Sequence, residues 1–335
     1  MVELKRFDSI TQAMMACGVM PEAMESAFAD SREAYLAAWD SHGLSGDAER
    51  RLKQQDLPLA LLINQAHRCG GAQPLLIGIN GAQGSGKSTL CHLLQPILQD
   101  GLGMRTVVLS IDDFYLTRAQ RIALSRHEHP LFLTRGVPGT HDVNLIQQTI
   151  SVLLNQGPAR VPVFDKSIDD RLPESDWRPY SPPTDIILFE GWCVGCRPQA
   201  DSELLESVND LEATEDGDRR WRCYVNQCLN HEYDDLFTML DYLILLRVPD
   251  FSVVQTHRLQ QETRLAEQLE QGGAVSGTGY RIMNAQQICR FIQHYQRLTE
   301  ATLAEMPERA DLTFYLDQDR QPVSITMRCG AHENH

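Results

Sequence analysis

The residues Gly81-Ala82-Gln83-Gly84-Ser85-Gly86-Lys87-Ser88 have the types and spacing to hold phosphate groups. In the pattern Gly-x-x-x-x-Gly-Lys-Ser, glycines let the backbone curl so that successive N–H groups point inward. A helix starting at the end of such a loop adds the positive end of its dipole. Lys87 then reaches the β- and γ-phosphates of ATP as a point charge, and Ser88 offers a hydroxyl to Mg²⁺. Thr89, the next residue of that helix, completes the ATP-binding set expected here.

Three carboxylates supply what the loop lacks. Phosphoryl transfer to a hydroxyl calls for a base and for ligands to the metal. Asp112 and Asp113 follow the apolar run Arg105–Ile111, and Glu190 follows Asp185-Ile-Ile-Leu-Phe. Asp112 is the expected base, Asp113 an expected metal ligand through water, and Glu190 the Walker B carboxylate on Mg²⁺. The division of these roles among the three stays open, and an Asp at this place can also serve only to cap the next helix. Arginines offset the charge that spreads over the transferring group. Arg258, Gln261 and Arg264 lie at i, i+3 and i+6 of one helical stretch, which by composition alone reads as a solvated helix. The segment Arg135-Gly-Val-Pro-Gly-Thr-His-Asp142 has the turn formers and polar groups to wrap a small polar substrate, or simply to turn the chain.

Elements must position these residues. Pro74-Leu-Leu-Ile-Gly-Ile-Asn80 reads as a strand entering the glycine loop, and Leu90, Leu93, Leu94, Ile97 and Leu98 recur at helical spacing after it. Arg105–Ile111, Val161–Phe164, Asp185–Glu190, Tyr242–Val248 and Leu312–Leu316 read as further strands. Apolar strands alternating with helices predict an α/β fold, a mostly parallel sheet covered on both sides, with functional groups at the carboxyl ends of its strands. Residues 1–72 read as a helical extension without a clear strand, 73–320 as the main domain, and 321–335 as a C-terminal tail. Within the main domain, 201–222 reads as an acidic surface insertion, and 255–280 holds a Gly-rich loop, Gly272–Gly279, between helical stretches. Ile288, Phe291, Ile292 and Tyr295 read as a core helix face.

The bulk numbers exclude several classes. The 335 residues are 42% hydrophobic and carry a formal charge of −15, a globular composition repelled by nucleic acid and anionic membrane surfaces. The N-terminus has no apolar segment of signal-peptide type, and no run approaches the length of a membrane span, so a cytoplasmic protein is expected. Nine cysteines read as reduced thiols; Cys193-x-x-Cys196 lacks the second pair a zinc site needs, and His127-Glu-His129 lacks the i, i+4 spacing of a helical metal pair. Monomer and homodimer are both open.

Five segments resemble one family. Ser110-Ile-Asp-Asp-Phe-Tyr-Leu-Thr117, Arg135–Asp142, Val161-Pro-Val-Phe-Asp-Lys-Ser167, Glu190-Gly-Trp192 and Arg258-Leu-Gln-Gln-Glu262 are similar to those of the D-glycerate 3-kinases of plants and fungi and their bacterial relatives. That group is similar in turn to the phosphoribulokinase, uridine kinase and pantothenate kinase class. The resemblance runs from about Pro74 to Leu316. It implies a three-layer P-loop NTPase sandwich with a lid helix, on which Arg258 and Arg264 close over ATP. It implies that Asp112 is the base and Glu190 the acidic residue after the Walker B-like strand. Asp113, Tyr115, Arg135, His141, Asp142, Asp165, Lys166 and Arg171 are expected around a small-molecule substrate. Ile168-Asp169-Asp170 departs from the family's glycine-bearing stretch, and Cys193-Val-Gly-Cys196 departs after Glu190-Gly191-Trp192.

The reading is then an ATP- and Mg²⁺-dependent kinase of a hydroxy acid, D-glycerate first. The alternatives are the same fold acting on uridine, pantothenate or another polyol, and an ATPase switch that binds partners through the acidic insertion. Asp112 speaks against a switch, which needs no base for a substrate hydroxyl, and no Asn-Lys-x-Asp motif points to GTP.

Overall fold

The computed structural model describes residues 3–71, 73–260 and 285–329. The apolar runs become strands because each can bury both faces. β2 (Leu75–Gly81) and β8 (Ile186–Gly191) are buried at every position; β3 (Thr106–Ser110), β9 (Tyr242–Arg247) and β10 (Leu312–Leu316) are nearly so. With β1 (Glu3–Phe7) and β11 (Pro322–Cys329) they form a sheet in the order β1-β11-β10-β9-β2-β8-β3. The five strands from β10 to β3 run parallel, while β11 is antiparallel to both its neighbours.

One face of the sheet packs on α1 (Ile10–Ala16), α2 (Glu22–Ser41), α4 (Leu57–Cys69) and α5 (Lys87–Pro96). The other packs on α7 (Val143–Leu154), α9 (Arg220–Asn230), α10 (Glu232–Phe237) and α12 (Ala285–Glu305). These are the three layers of a P-loop NTPase sandwich. Short α3 (Ala48–Arg51) runs into α4 through a π-helical stretch, Leu52–Asp56. α6 (Arg118–His127), α8 (Asp210–Glu215) and α11 (251–260) lie at the rims. Two short ladders, β4 (Ala159–Val161) with β7 (Arg178–Tyr180) and β5 (Phe164–Asp165) with β6 (Asp170–Arg171), stand apart from the main sheet. The run Val161–Phe164 is thus split between two ladders rather than forming one strand. The face of α12 is as its spacing predicts: Ile288, Ile292 and Tyr295 are buried.

Topology places the site. From β2 the chain crosses to β3, fills the gap with β8, and then passes to β9 on the other side of β2. The order reverses at β2, and a crevice opens at its carboxyl end, where the glycine loop sits.

Three sequence expectations change. The extension does contain a strand: β1 pairs with β11 through backbone bonds, although four of its five residues are exposed. The stretch from 321 is not only a tail, because β11 lies inside the sheet and buries Ile325 and Met327. The acidic segment 201–222 is more than surface. Glu212 and Asp216 are fully buried, Glu212 against Arg297 at 2.6 Å and Asp216 against Arg222 at 2.8 Å. Removing one member of such a buried pair costs about 3–5 kcal/mol, because the other charge is left in a low dielectric. No described helix is long and apolar enough to cross a membrane.

Candidate active site

The loop between β2 and α5 keeps its shape through glycine. Gly84 and Gly86 hold φ of +77° and +96°, and a Cβ on Gly84 would come within 2.8 Å of the His257 Cβ. Gly86 caps α5, so the unpaired amides of Lys87, Ser88 and Thr89 begin the helix at the loop. Ser85 Oγ and Gln83 Oε1 are buried with no hydrogen-bond partner among the described residues. Lys87 Nζ donates to the Ala82 carbonyl at 3.2 Å. Burial lowers its pKa, against the pull of Glu190 and Asp112, both close enough to act on its charge. Inward amides, the unpaired Ser85 hydroxyl and a desolvated ammonium fit a polyphosphate. Ser88 Oγ donates to Glu190 Oε1 at 2.8 Å, which sets two hard oxygen donors side by side, the donor set that Mg²⁺ prefers.

Asp112 and Asp113 leave β3 on a 3₁₀ turn, Ile111–Phe114, and face different partners. Asp112 accepts from Lys166 Nζ at 2.7 Å and from the Tyr115 hydroxyl at 2.7 Å. Burial would raise its pKa, but the Lys166 charge and the two hydrogen bonds outweigh it and hold the carboxyl well below the usual range. Asp113 instead pairs with Arg178 of β7 and accepts from the Phe164 amide. Both its oxygens are engaged in tying β5 and β7 to the sheet, and burial raises its pKa.

The remaining predicted substrate residues surround Asp112 but differ in what they offer. Tyr115 stacks on His141 at 4.7 Å between ring centroids. His141 Nδ1 lies 2.6 Å from the Tyr233 hydroxyl, and burial pushes the ring down to about 4. Arg171 donates to the Tyr115 carbonyl and to Asp142, which in turn caps α7, so this pair braces the loop. Asp165 is turned back onto the amide and hydroxyl of Ser167. Arg135 is paired with Asp169 and lies 5.4 Å from the Phe164 ring centroid. Of the predicted lid residues, Arg258 stands over the Phe291 ring at 5.5 Å; Arg264 lies outside the described residues.

No family model matches the chain. The fission yeast protein "Uncharacterized kinase mug58" is 32% identical over 271 residues, 75% of this chain and 91% of that protein. The Arabidopsis thaliana "D-glycerate 3-kinase, chloroplastic" is 30% identical over 270 residues, of which this chain spans 54% of the plant protein's length. The solved D-glycerate 3-kinase from Cryptococcus neoformans superposes with a TM-score of 0.64 at 27% identity, over 79% of this chain and 95% of that one. The chain belongs to the D-glycerate 3-kinase family of P-loop kinases. It is an ATP-dependent kinase.

Several side chains of this kinase carry the site without showing in the sequence. His257 of α11 packs under Gly84 and hydrogen-bonds the Gln318 carbonyl at 2.9 Å, linking the phosphate loop to the turn after β10. Tyr295 donates to the Arg135 carbonyl and fills the space beside Gly136. Asn80 donates to the carbonyls of Trp192 and Val194, and Trp192 donates to that of Gly136, so the ends of β2 and β8 and the loop Arg135–Asp142 are one network. Asp169 pairs with both Arg135 and the fully buried Arg121, at a left-handed φ of +56°. Only the turn-forming character of Arg135–Asp142 hinted at these links. The two cysteines after Glu190 are buried thiols whose pKa values are raised by burial, Cys196 to about 11.

Proposed function

We propose that this kinase transfers the γ-phosphoryl group of ATP to a hydroxyl of D-glycerate. The observation that carries the reading is Asp112. It is an ionised carboxylate held by Lys166 and Tyr115, with its charge felt at Lys87 and with Arg135 in the same cluster. An attacking hydroxyl beside Asp112 would face a phosphoryl group seated on Lys87. With a base this acidic, the proton moves late, as the new bond to phosphorus makes the hydroxyl acidic. The phosphate loop binds the triphosphate; Lys87 and the cations around Asp112 offset charge on the transferring group. Ser88 and Glu190 would hold Mg²⁺, which when bound neutralises charge between the β- and γ-phosphates.

The acceptor's carboxylate matches Arg135 and Lys166, and a carboxylate favours a guanidinium fork. Arg135 is already paired with one carboxylate, that of Asp169, which the acceptor's would replace. The names of the Arabidopsis and Cryptococcus relatives point the same way. Purified protein with ATP, Mg²⁺ and D-glycerate should release ADP and phosphoglycerate. Turnover on uridine, pantothenate or glycerol with none on D-glycerate would overturn the acceptor. ATP hydrolysis indifferent to every small acceptor would overturn transfer itself.

A further inference from the structure

One large cavity leads away from the acceptor. It measures about 1040 Å³, begins at residues 84–89 of the phosphate loop, and runs over the carboxyl ends of β9 and β10 at Leu246, Phe314 and Leu316. Asp112, Arg135 and Lys166 do not line it. Its size is at the top of the range of about 300–1,000 Å³ typical of small-molecule sites. Its outer wall is the N-terminal extension: Trp39, the loop from His42 to Asp47, Arg50, Arg51 and Gln54. The turn Asp319–Gln321 forms the far rim.

The extension is braced at that wall. Asp56 is 1% exposed and accepts from the Tyr35 hydroxyl at 2.7 Å and from Arg51 Nε at 3.0 Å. Arg51 lies 5.8 Å from the Trp39 ring centroid. The π-helical stretch ends on Asp56, an irregularity often retained where a site demands it. The His42 ring sits 4.8 Å from that of His92 on α5, which fixes the loop against the helix that starts the phosphate site.

Direction supplies the ligand. A triphosphate seated on Lys87 with its γ-group toward Asp112 must send its other end the opposite way. That end is a nucleoside, a flat base and a ribose. The cavity offers an indole, guanidinium groups and amides, which suit stacking on a base and hydrogen bonds to its edge and to hydroxyls. We propose that the N-terminal extension, through Trp39, Arg50, Arg51 and Gln54, forms the nucleoside half of the ATP site. This rests on the phosphate loop's being the ATP phosphate site, as read above.

The test compares ATP with inorganic tripolyphosphate, which carries the phosphates and no nucleoside. Arg50 and Gln54 are exposed and bonded to each other at 3.1 Å, so Arg50→Ala with Gln54→Ala leaves the core intact. Calorimetry on the full chain with Mg²⁺ should show the Kd for ATP weakened about tenfold in this variant, with that for tripolyphosphate within about twofold of wild type. In the unsubstituted protein, ATP but not tripolyphosphate should slow amide hydrogen exchange across residues 43–54. Unchanged ATP affinity, equal weakening of both ligands, or no difference in exchange would overturn the proposal. Wild-type protein that binds neither ligand would instead bring down the phosphate-loop reading, and the proposal with it.

Discussion

On one side of Lys87 the site is built from backbone; on the other it is built from paired side chains. The phosphate loop presents amides, the unpaired Ser85 hydroxyl and an ammonium whose one bond among the described residues is to a carbonyl. The acceptor side presents cations that already have carboxylates: Lys166 with Asp112, Arg135 with Asp169, Arg171 with Asp142, Arg178 with Asp113. The first arrangement is preorganised for an anion and loses nothing when the anion arrives. In the second, a carboxylate acceptor of the kind proposed would have to take a cation from a resident one, so its binding would be an exchange of partners. Such a site selects by what can outcompete an internal group.

Four experiments would break or sharpen this contrast. Lys87→Ala strikes the preorganised side and should cost about 10³-fold in kcat/KM, with weakened ATP binding in calorimetry. A loss below about tenfold would mean that the amides alone hold the phosphates. Asp112→Asn should lower kcat by about 10²- to 10³-fold while leaving the Kd for ATP unchanged; a near-normal kcat in steady-state assays would remove Asp112 from the base role. Asp169→Asn keeps a residue tolerant of left-handed backbone and removes the resident charge on Arg135. The KM for D-glycerate should fall about three- to tenfold at a kcat within about twofold. A rise in KM would show that Asp169 positions Arg135 rather than competing for it.

The smallest effect is acid sensitivity. His141 is held down to about 4, whereas the ring in an unfolded chain titrates near 6.5. Between those values the unfolded chain binds a proton that the folded one refuses. The stabilisation is therefore complete above about pH 6.5 and fades as pH falls toward 4, by up to about 1.4 kcal/mol per unit. Urea midpoints measured across that range should flatten in His141→Gln, with ATP affinity unaltered. An unflattened profile would mean that the ring titrates as if exposed.

How much of this was legible beforehand follows from where each signal lives. The strand, glycine loop and helix from Leu75 to Pro96 show in the sequence because a doubly buried strand and an amphipathic helix each write their own period. The carboxylates at the ends of β3 and β8 follow from the same logic. β1 did not show because its side chains stay in water and its pairing with β11 is a matter of backbone bonds. Glu212 and Asp216 read as solvated because hydropathy registers a charge and not its partner; Arg297 stands 85 residues from Glu212. The family resemblance named Arg135, Lys166 and Asp142 as neighbours of the substrate. It could not say which of them are free to meet it, since that depends on pairs such as Arg135 with Asp169 that form only in the fold.

The edge pairing of β1 with β11 has one more consequence. The extension is fastened to the sheet at both its ends, by β1 at the edge and by the run from α4 into β2 at the centre. Its exposed bend from Gly43 to Gly46 lies between Tyr35 and Asp56, which are hydrogen-bonded across it. A protease that nicks this bend therefore sheds nothing. The two pieces stay clasped by a ladder on one side and a buried hydroxyl–carboxylate bond on the other.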